Sequence, residues 1–204
     1  SSSSSASRRT QEEEIYEDLC YVTLRLGRER QAITLEPVEK RDYCIKELIE
    51  TEKNYIDALN MIINHFVNPL KKVLSQEDHK IIFMNIKQLA DVHAKFYADL
   101  RRACGQSPSP MSSVFLSHQK VTISSCFLTW KDKFVIYGDY CSELPKAQCL
   151  IDDICVKDDL VNEFVTRCQM KANEGKFKLR DLLSLPMQRI LKYHLLLSEL
   201  IKST

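Results

Sequence analysis

The chain has 204 residues, of which 44% are hydrophobic and 28% charged, with four glycines and a formal net charge of +1. That length supports one sizeable domain and a tail, so scarce a glycine content suits helices better than a turn-rich β fold, and a near-neutral balance gives no general pull towards nucleic acid or an anionic membrane. No apolar run approaches a membrane span or a signal-peptide core, and the eight cysteines (20, 44, 104, 126, 141, 149, 155 and 168) include no C-x-x-C pair, which fits buried, reduced thiols in a cytosolic protein better than a disulfide framework or a zinc site.

Residues 1–11, SSSSSASRRTQ, are polar and of low complexity and read as disordered. The next segment, EEEIYEDL at 12–19, embeds Tyr16 in acids and places Ile15 and Leu19 four apart, on one edge of a short helix. Two readings stand at this point: a solvated acidic linker, or a tyrosine-kinase site at which a phosphate would add about −1.5 to −2 charge to an acidic patch. Residues 20–38 read as a linker, so that 1–38 form a tail ahead of a domain over 39–204.

A long helix is expected from Glu39 to Val67, stopped by Pro69. Its apolar stripe is Ile45, Leu48, Ile49, Tyr55, Ile56, Leu59, Ile62, Ile63 and Phe66; the opposite stripe is Glu47, Thr51, Asn54 and Ala58. Taken alone, that second stripe reads as solvent-facing helix. Ser75-Gln-Glu-Asp78 reads as an N-cap and acidic first turn, followed by a stripe of Ile82, Ile86, Leu89, His93, Phe96 and Leu100. His93 therefore reads as a core histidine rather than a ligand. GQSPSP at 105–110 is a loop. Trp130, Phe134, Tyr137 and Tyr140 mark a further helix, interrupted by the β-branched run at 118–129. Helical spacing returns between Leu144 and Met170, and Asn173-Glu-Gly175 reads as a C-cap loop.

The last stretch, FKLRDLLSLPMQRILKYHLLLSELI at 177–201, is the most apolar and periodic. After Pro186, the residues Met187, Ile190, Leu191, His194, Leu197 and Ile201 share a face that is expected to pack inward. Gln188, Lys192 and Glu199 share another, flanked by Leu195 and Leu196. Periodicity leaves open whether that second face docks a partner or belongs to a doubly buried helix with one snorkelling lysine. The fold class expected from these elements is all-α, an elongated helical bundle.

No phosphate-binding loop, nucleophile elbow or H-E-x-x-H motif occurs, and the five histidines lack metal-ligand spacing. A hydrolase or metal enzyme is therefore not expected, and no residue is expected to ligate a metal. From the residues alone the reading is an all-α interaction domain behind a regulatory acidic tail.

KELIETEKNYIDAL (46–59), HFVNPL (65–70), KDKFVIYGDYC (131–141) and RDLLSLPMQRILKYHLLLSEL (180–200) resemble a Dbl homology domain, the module of guanine-nucleotide exchange factors for Rho-family GTPases. EEEIYEDL ahead of the domain, together with KANEGKFKLRDLLSLPMQRILKYHLLL, is similar to the Vav type of that family. The resemblance covers about residues 12–202. It implies a Dbl-homology bundle preceded by a short inhibitory helix at 12–19. It further implies exchange on a Rho/Rac GTPase without bond-making chemistry: the nucleotide-free GTPase is stabilised and GDP leaves. By motif position, Glu47 and Lys192 match the family's contacts with the GTPase switch regions, and Gln188 is a weaker candidate. Tyr16 matches a regulatory tyrosine whose segment blocks the GTPase surface until phosphorylated. Ile15 and Leu19 would dock with it near Leu182 and Arg189.

The implied partners are a Rho/Rac GTPase, a tyrosine kinase acting on Tyr16 and phosphotyrosine-binding adaptors. The implied setting is cytoplasmic, with recruitment to membrane signalling complexes by partners. No cofactor is expected, since the GTPase carries the nucleotide and Mg²⁺. Two departures from the family pattern stand out. The family's final helix and its following pleckstrin-homology domain have no counterpart before Thr204, and 118–129 falls as an insertion where the family helix is continuous, so a bulge or distorted packing is expected there. The alternative these departures raise is a non-catalytic helical fragment that binds a GTPase or an adaptor.

Overall fold

The computed structural model describes residues 2–21, 37–105 and 122–204. The expected linker at 20–38, the loop at 105–110 and residues 118–121 lie wholly or largely outside them. Every regular element among the described residues is helical: α1 (Ser2–Cys20), α2 (Pro37–Ile62), a π-helical turn (Ile63–Val67), α3 (Asn68–Leu70), α4 (Gln76–Phe83), α5 (Ile86–Ala103), α6 (Ile123–Trp130), α7 (Ile136–Lys157), α8 (Asp159–Asn173), α9 (Leu179–Leu182) and α10 (Leu185–Lys202). The all-α expectation holds.

α2 is the axis of the bundle, packing against α1, α5 and α10. Its apolar stripe is largely buried, with Leu48, Ile49, Tyr55, Leu59, Ile62 and Phe66 in the core. Pro69 does not stop this helix; the chain stays helical through Leu70. The π turn explains how. The Asn68 N–H reaches back to the Ile63 carbonyl, so the hydrogen-bond ladder is already offset where it meets a residue with no N–H.

The Ser75 N-cap forms as expected, its hydroxyl accepting from the Asp78 N–H at 3.0 Å. The helix behind it does not run unbroken to Leu100. It breaks at Met84, which has φ 44° and ψ −123°, and restarts as α5. His93 is fully buried on α5, as a core residue.

α1 begins at Ser2, ahead of the acidic segment in which the sequence reads as structured. Two expectations need correction. Within 118–129, the described part is regular helix rather than a bulge. Thr122 and Ser125 exchange side-chain-to-backbone hydrogen bonds in a capping box that starts α6, and Cys126 is buried beneath it. Lastly, the inward face of α10 is rotated from the one expected. Leu191, His194 and Ile201 are exposed, while Leu185, Arg189, Tyr193, Leu196 and Leu200 are buried. The apolar spacing leaves Arg189 out of the inward face, yet it is buried there with its charge neutralised by Glu52.

Two apolar clusters fill the bundle. One surrounds Tyr55, Leu59, Phe66, Tyr140 and Leu182 and includes Ile15, Tyr16 and Cys20 of α1. The other gathers Leu48, Ile49, Phe96, Leu100, Cys126, Tyr193 and Leu196.

Candidate functional site

α1 lies against α2, α9 and α10, covering the stripe of α2 that reads as solvent-facing in the sequence. Thr51 and Ala58 of that stripe are buried. Asn54 Nδ2 donates to the Cys20 carbonyl at 2.8 Å, and Glu47 is hydrogen-bonded by the phenol of Tyr21. The apolar edge of α1 works as its spacing implies: Ile15 is buried and Leu19 is partly buried against the first cluster. Tyr16, beside Ile15, has no exposed surface at all.

Beneath Tyr16 sits a charged network with no access to solvent. Arg189 Nη1 donates to the Tyr16 hydroxyl at 2.8 Å and to Thr51 Oγ1 at 3.0 Å. Its Nε and Nη2 both donate to Glu52 Oε2, at 3.2 and 2.6 Å, and the guanidinium carbon lies 4.7 Å from the Tyr193 ring centre. The same carboxylate accepts from the Tyr193 hydroxyl at 2.6 Å and from His93 Nδ1 at 2.5 Å. On its far side, His93 Nε2 is 2.6 Å from the Tyr137 hydroxyl, which is 2.8 Å from that of Tyr55.

The electrostatics follow from this wiring. Burial alone would raise the Glu52 carboxyl, but Arg189, with His93 and Tyr193, holds it down at about 2. Burial pushes the Tyr16 phenol well above its ordinary value, with Arg189 pulling the other way, so a neutral hydroxyl faces the arginine. Burial raises the Cys20 thiol to about 12, which leaves it inert.

The exposed rim of the interface carries ion pairs. Lys192 Nζ is 3.6 Å from Glu17 Oε1 and 5.7 Å from the Tyr16 ring centre, and Lys176 Nζ is 2.9 Å from Asp18 Oδ2. The expected site residues thus converge on one surface. Lys192 is engaged by α1 and Glu47 by Tyr21 just past its end, while Leu182 and Arg189 are fully buried in the part of the bundle that receives α1. Gln188 is also buried, and is not an open contact on the scale of Lys192. Among the described residues no cluster of histidine, cysteine and carboxylates is arranged to hold a metal, and no helix is long and apolar enough to cross a membrane.

The model of the RhoGEF domain matches residues 44–204. The chain belongs to the RhoGEF family. Within that family it is similar to Protein vav of Drosophila melanogaster, 42% identical over 195 residues that make up 96% of this chain and 23% of the fly protein. The chain therefore spans about a quarter of the length of that relative. Among solved structures, one of autoinhibited Vav1 superposes with a TM-score of 0.78 at 36% identity, over 95% of this chain and 32% of that one. An NMR structure of an autoinhibited Dbl homology domain gives 0.72 at 36% identity, over 95% of this chain and 86% of that one. The bundle is thus the Dbl homology fold, and the RhoGEF match covers the elements α1 rests on.

Two residues of this interface, one in the RhoGEF bundle and one in the segment ahead of it, escape sequence reasoning. Glu52 lies between Leu48 and Tyr55 on the apolar stripe of α2. A carboxylate at a core position is a signal that a buried cation exists elsewhere, although it does not say where. Tyr21 follows the acidic segment and carries no pattern of its own.

Proposed function

We propose that this chain accelerates GDP release from a Rho/Rac-family GTPase and that α1 holds it inactive until Tyr16 is phosphorylated. The observation that carries the reading is that Glu47 and Lys192, the residues matching the family's switch contacts, are engaged by Tyr21 just past α1 and by Glu17 of α1, while Tyr16 is buried on Arg189. No covalent step is involved. A surface complementary to the nucleotide-free GTPase stabilises that state over the GDP-bound one and so lowers the barrier to release. The nucleotide and its Mg²⁺ are the GTPase's own, and this chain contributes no cofactor.

GTPase and α1 compete for one face, so activity tracks the undocked fraction. Phosphate on Tyr16 works against docking in two ways. The site has no room around a ring with zero exposure, and Arg189, the cation nearest the phenol, is already neutralised by Glu52. A dianion there would lose its water without gaining a free partner. Because Tyr16 is covered when docked, the tyrosine kinase acts on the transiently open form, and the released phosphotyrosine is then available to phosphotyrosine-binding adaptors. The setting that suits this role is the cytoplasm, with partners recruiting the chain to membrane signalling complexes.

The test is GDP release from a Rac-type GTPase, measured for the unmodified chain, the chain phosphorylated on Tyr16, and the phosphorylated chain carrying Glu47→Ala or Lys192→Ala. The expected result is a rate at least ten-fold higher on phosphorylation and a fall towards the unstimulated rate in each alanine variant. No acceleration by a folded, phosphorylated chain would make it a binding module without exchange activity.

A further inference from the structure

We propose that Tyr21 is a second tyrosine-phosphorylation site, and that phosphate there unlatches the C-terminal end of α1 from Glu47. The inference rests on the reading of α1 as a removable cover and adds a second point of control to it. Tyr21 sits just past the end of α1, its N–H still bonded to the Glu17 carbonyl at 3.0 Å. Its ring meets that of Tyr16 edge-on, 6.1 Å between centres, and its hydroxyl is bonded to the Glu47 carboxylate. With the bond from Asn54 to the Cys20 carbonyl, this fastens the tail of α1 to α2 independently of the Arg189 anchor.

The two tyrosines differ in what faces them. Tyr16 is wholly buried on a guanidinium; Tyr21 is partly exposed, and the charged side chains bearing most strongly on its phenol, Glu47 and Glu17, are both acidic. The donor in the bond to Glu47 must be the phenol, since a carboxylate only accepts. In phosphoryl transfer the Tyr21 oxygen forms a bond to the γ-phosphorus of ATP. The bond from that phosphorus to the β–γ bridging oxygen breaks, ADP leaves with the oxygen, and the phenolic proton passes to the kinase's base. The product has lost the hydrogen that bridged to Glu47 and carries a charge of about −1.5 to −2 in its place. A clamp becomes a like-charge repulsion at the carboxylate the GTPase needs. Reaching Tyr21 requires lifting only the end of α1, and Glu17 and Asp18 supply the acidic lead-in.

The experiment treats the full chain and its Tyr16→Phe, Tyr21→Phe and doubly substituted forms with a tyrosine-kinase catalytic domain, ATP and Mg²⁺. Phosphate is mapped by mass spectrometry, amide hydrogen exchange is followed over residues 12–20, and GDP release is followed from a Rac-type GTPase. The expected result is phosphate on Tyr21 in the Tyr16→Phe chain, with exchange over 12–20 at least ten-fold faster than before treatment and no change in the double variant. Adding Glu47→Gln to Tyr16→Phe should shrink that acceleration several-fold, since the repelling charge is gone. The proposal is overturned if Tyr21 stays unmodified under conditions that phosphorylate it in the heat-unfolded chain, or if its phosphate leaves protection of 12–20 unchanged. Faster hydrogen exchange over 12–20 with no gain in GDP release would support the latch and count against the exchange reading instead.

Discussion

Glu52 is hydrogen-bonded by Arg189, Tyr193 and His93 at once, with no exposed surface on the carboxylate or the guanidinium. Such a pair owes its stability to being complete. Removing one charge strands the other in a low-dielectric interior, at a cost of about 3–5 kcal/mol. Glu52→Gln should therefore lower the unfolding free energy by about that amount, read from urea denaturation at neutral pH. The pH dependence has a fixed sign. The carboxyl is held at about 2 in the folded chain against an ordinary value of 4.5, so its contribution is fully present above the higher value and is lost as pH falls through the lower one. Between pH 4.5 and 2 the parent chain should lose stability more steeply than Glu52→Gln, and equal slopes would remove Glu52 from the account. This network was only half legible in the sequence. Tyr16 and Arg189 follow from the family resemblance, whereas Glu52 is one polar letter in an apolar stripe. Its role appears only when residue 189, more than a hundred positions away, is folded over it.

At the scale of elements, the interest lies in how a short acidic helix is held on a bundle. α1 alone would be marginal in water, and its stability comes from burying Ile15 and Tyr16, at about 1.5–3 kcal/mol for a side chain of that size. The turn between α8 and α9 contributes from the side. Glu174 and Gly175 both adopt positive φ, 56° and 76°, and the Gly175 N–H closes on the Gln169 carbonyl at 3.1 Å. That turn presents Lys176 to Asp18. A Cβ on Gly175 would lie 2.8 Å from Met170 Sδ, besides forcing a left-handed conformation on a side-chain-bearing residue. Gly175→Ala should cost about 1–2 kcal/mol in thermal denaturation and speed hydrogen exchange over residues 12–20. The ion pair by itself is exposed and weak, so Lys176→Ala should change stability by less than about 1 kcal/mol. The sequence marked this turn correctly through Asn173-Glu-Gly175. It missed the break at Met84, because the stripe from Ile82 to Leu100 keeps helical spacing straight across it.

Across the whole molecule, the buried network lies where the two apolar clusters meet. His93 stacks on Phe134 at 5.4 Å, and Phe134 packs against both clusters. α1 contributes Ile15, Tyr16 and Cys20 to the first cluster only. The single tryptophan, Trp130, packs against the second, its ring 6.1 Å from that of Phe96 and its Nε1 donating to Asp99 Oδ2 at 2.8 Å. This division predicts that releasing α1 is a sub-global event. Phosphorylating Tyr16 should raise hydrogen exchange across residues 12–20 while the emission maximum of Trp130 stays where it was, because among the described residues α1 adds nothing to the cluster against which Trp130 packs. Full unfolding in urea should then shift that emission in one cooperative transition. A shift in Trp130 emission that accompanies phosphorylation without denaturant would mean that losing Tyr16 from Arg189 propagates through Glu52 and His93 into the second cluster. The bundle would then be a two-state device as a whole rather than a rigid scaffold with a removable cover.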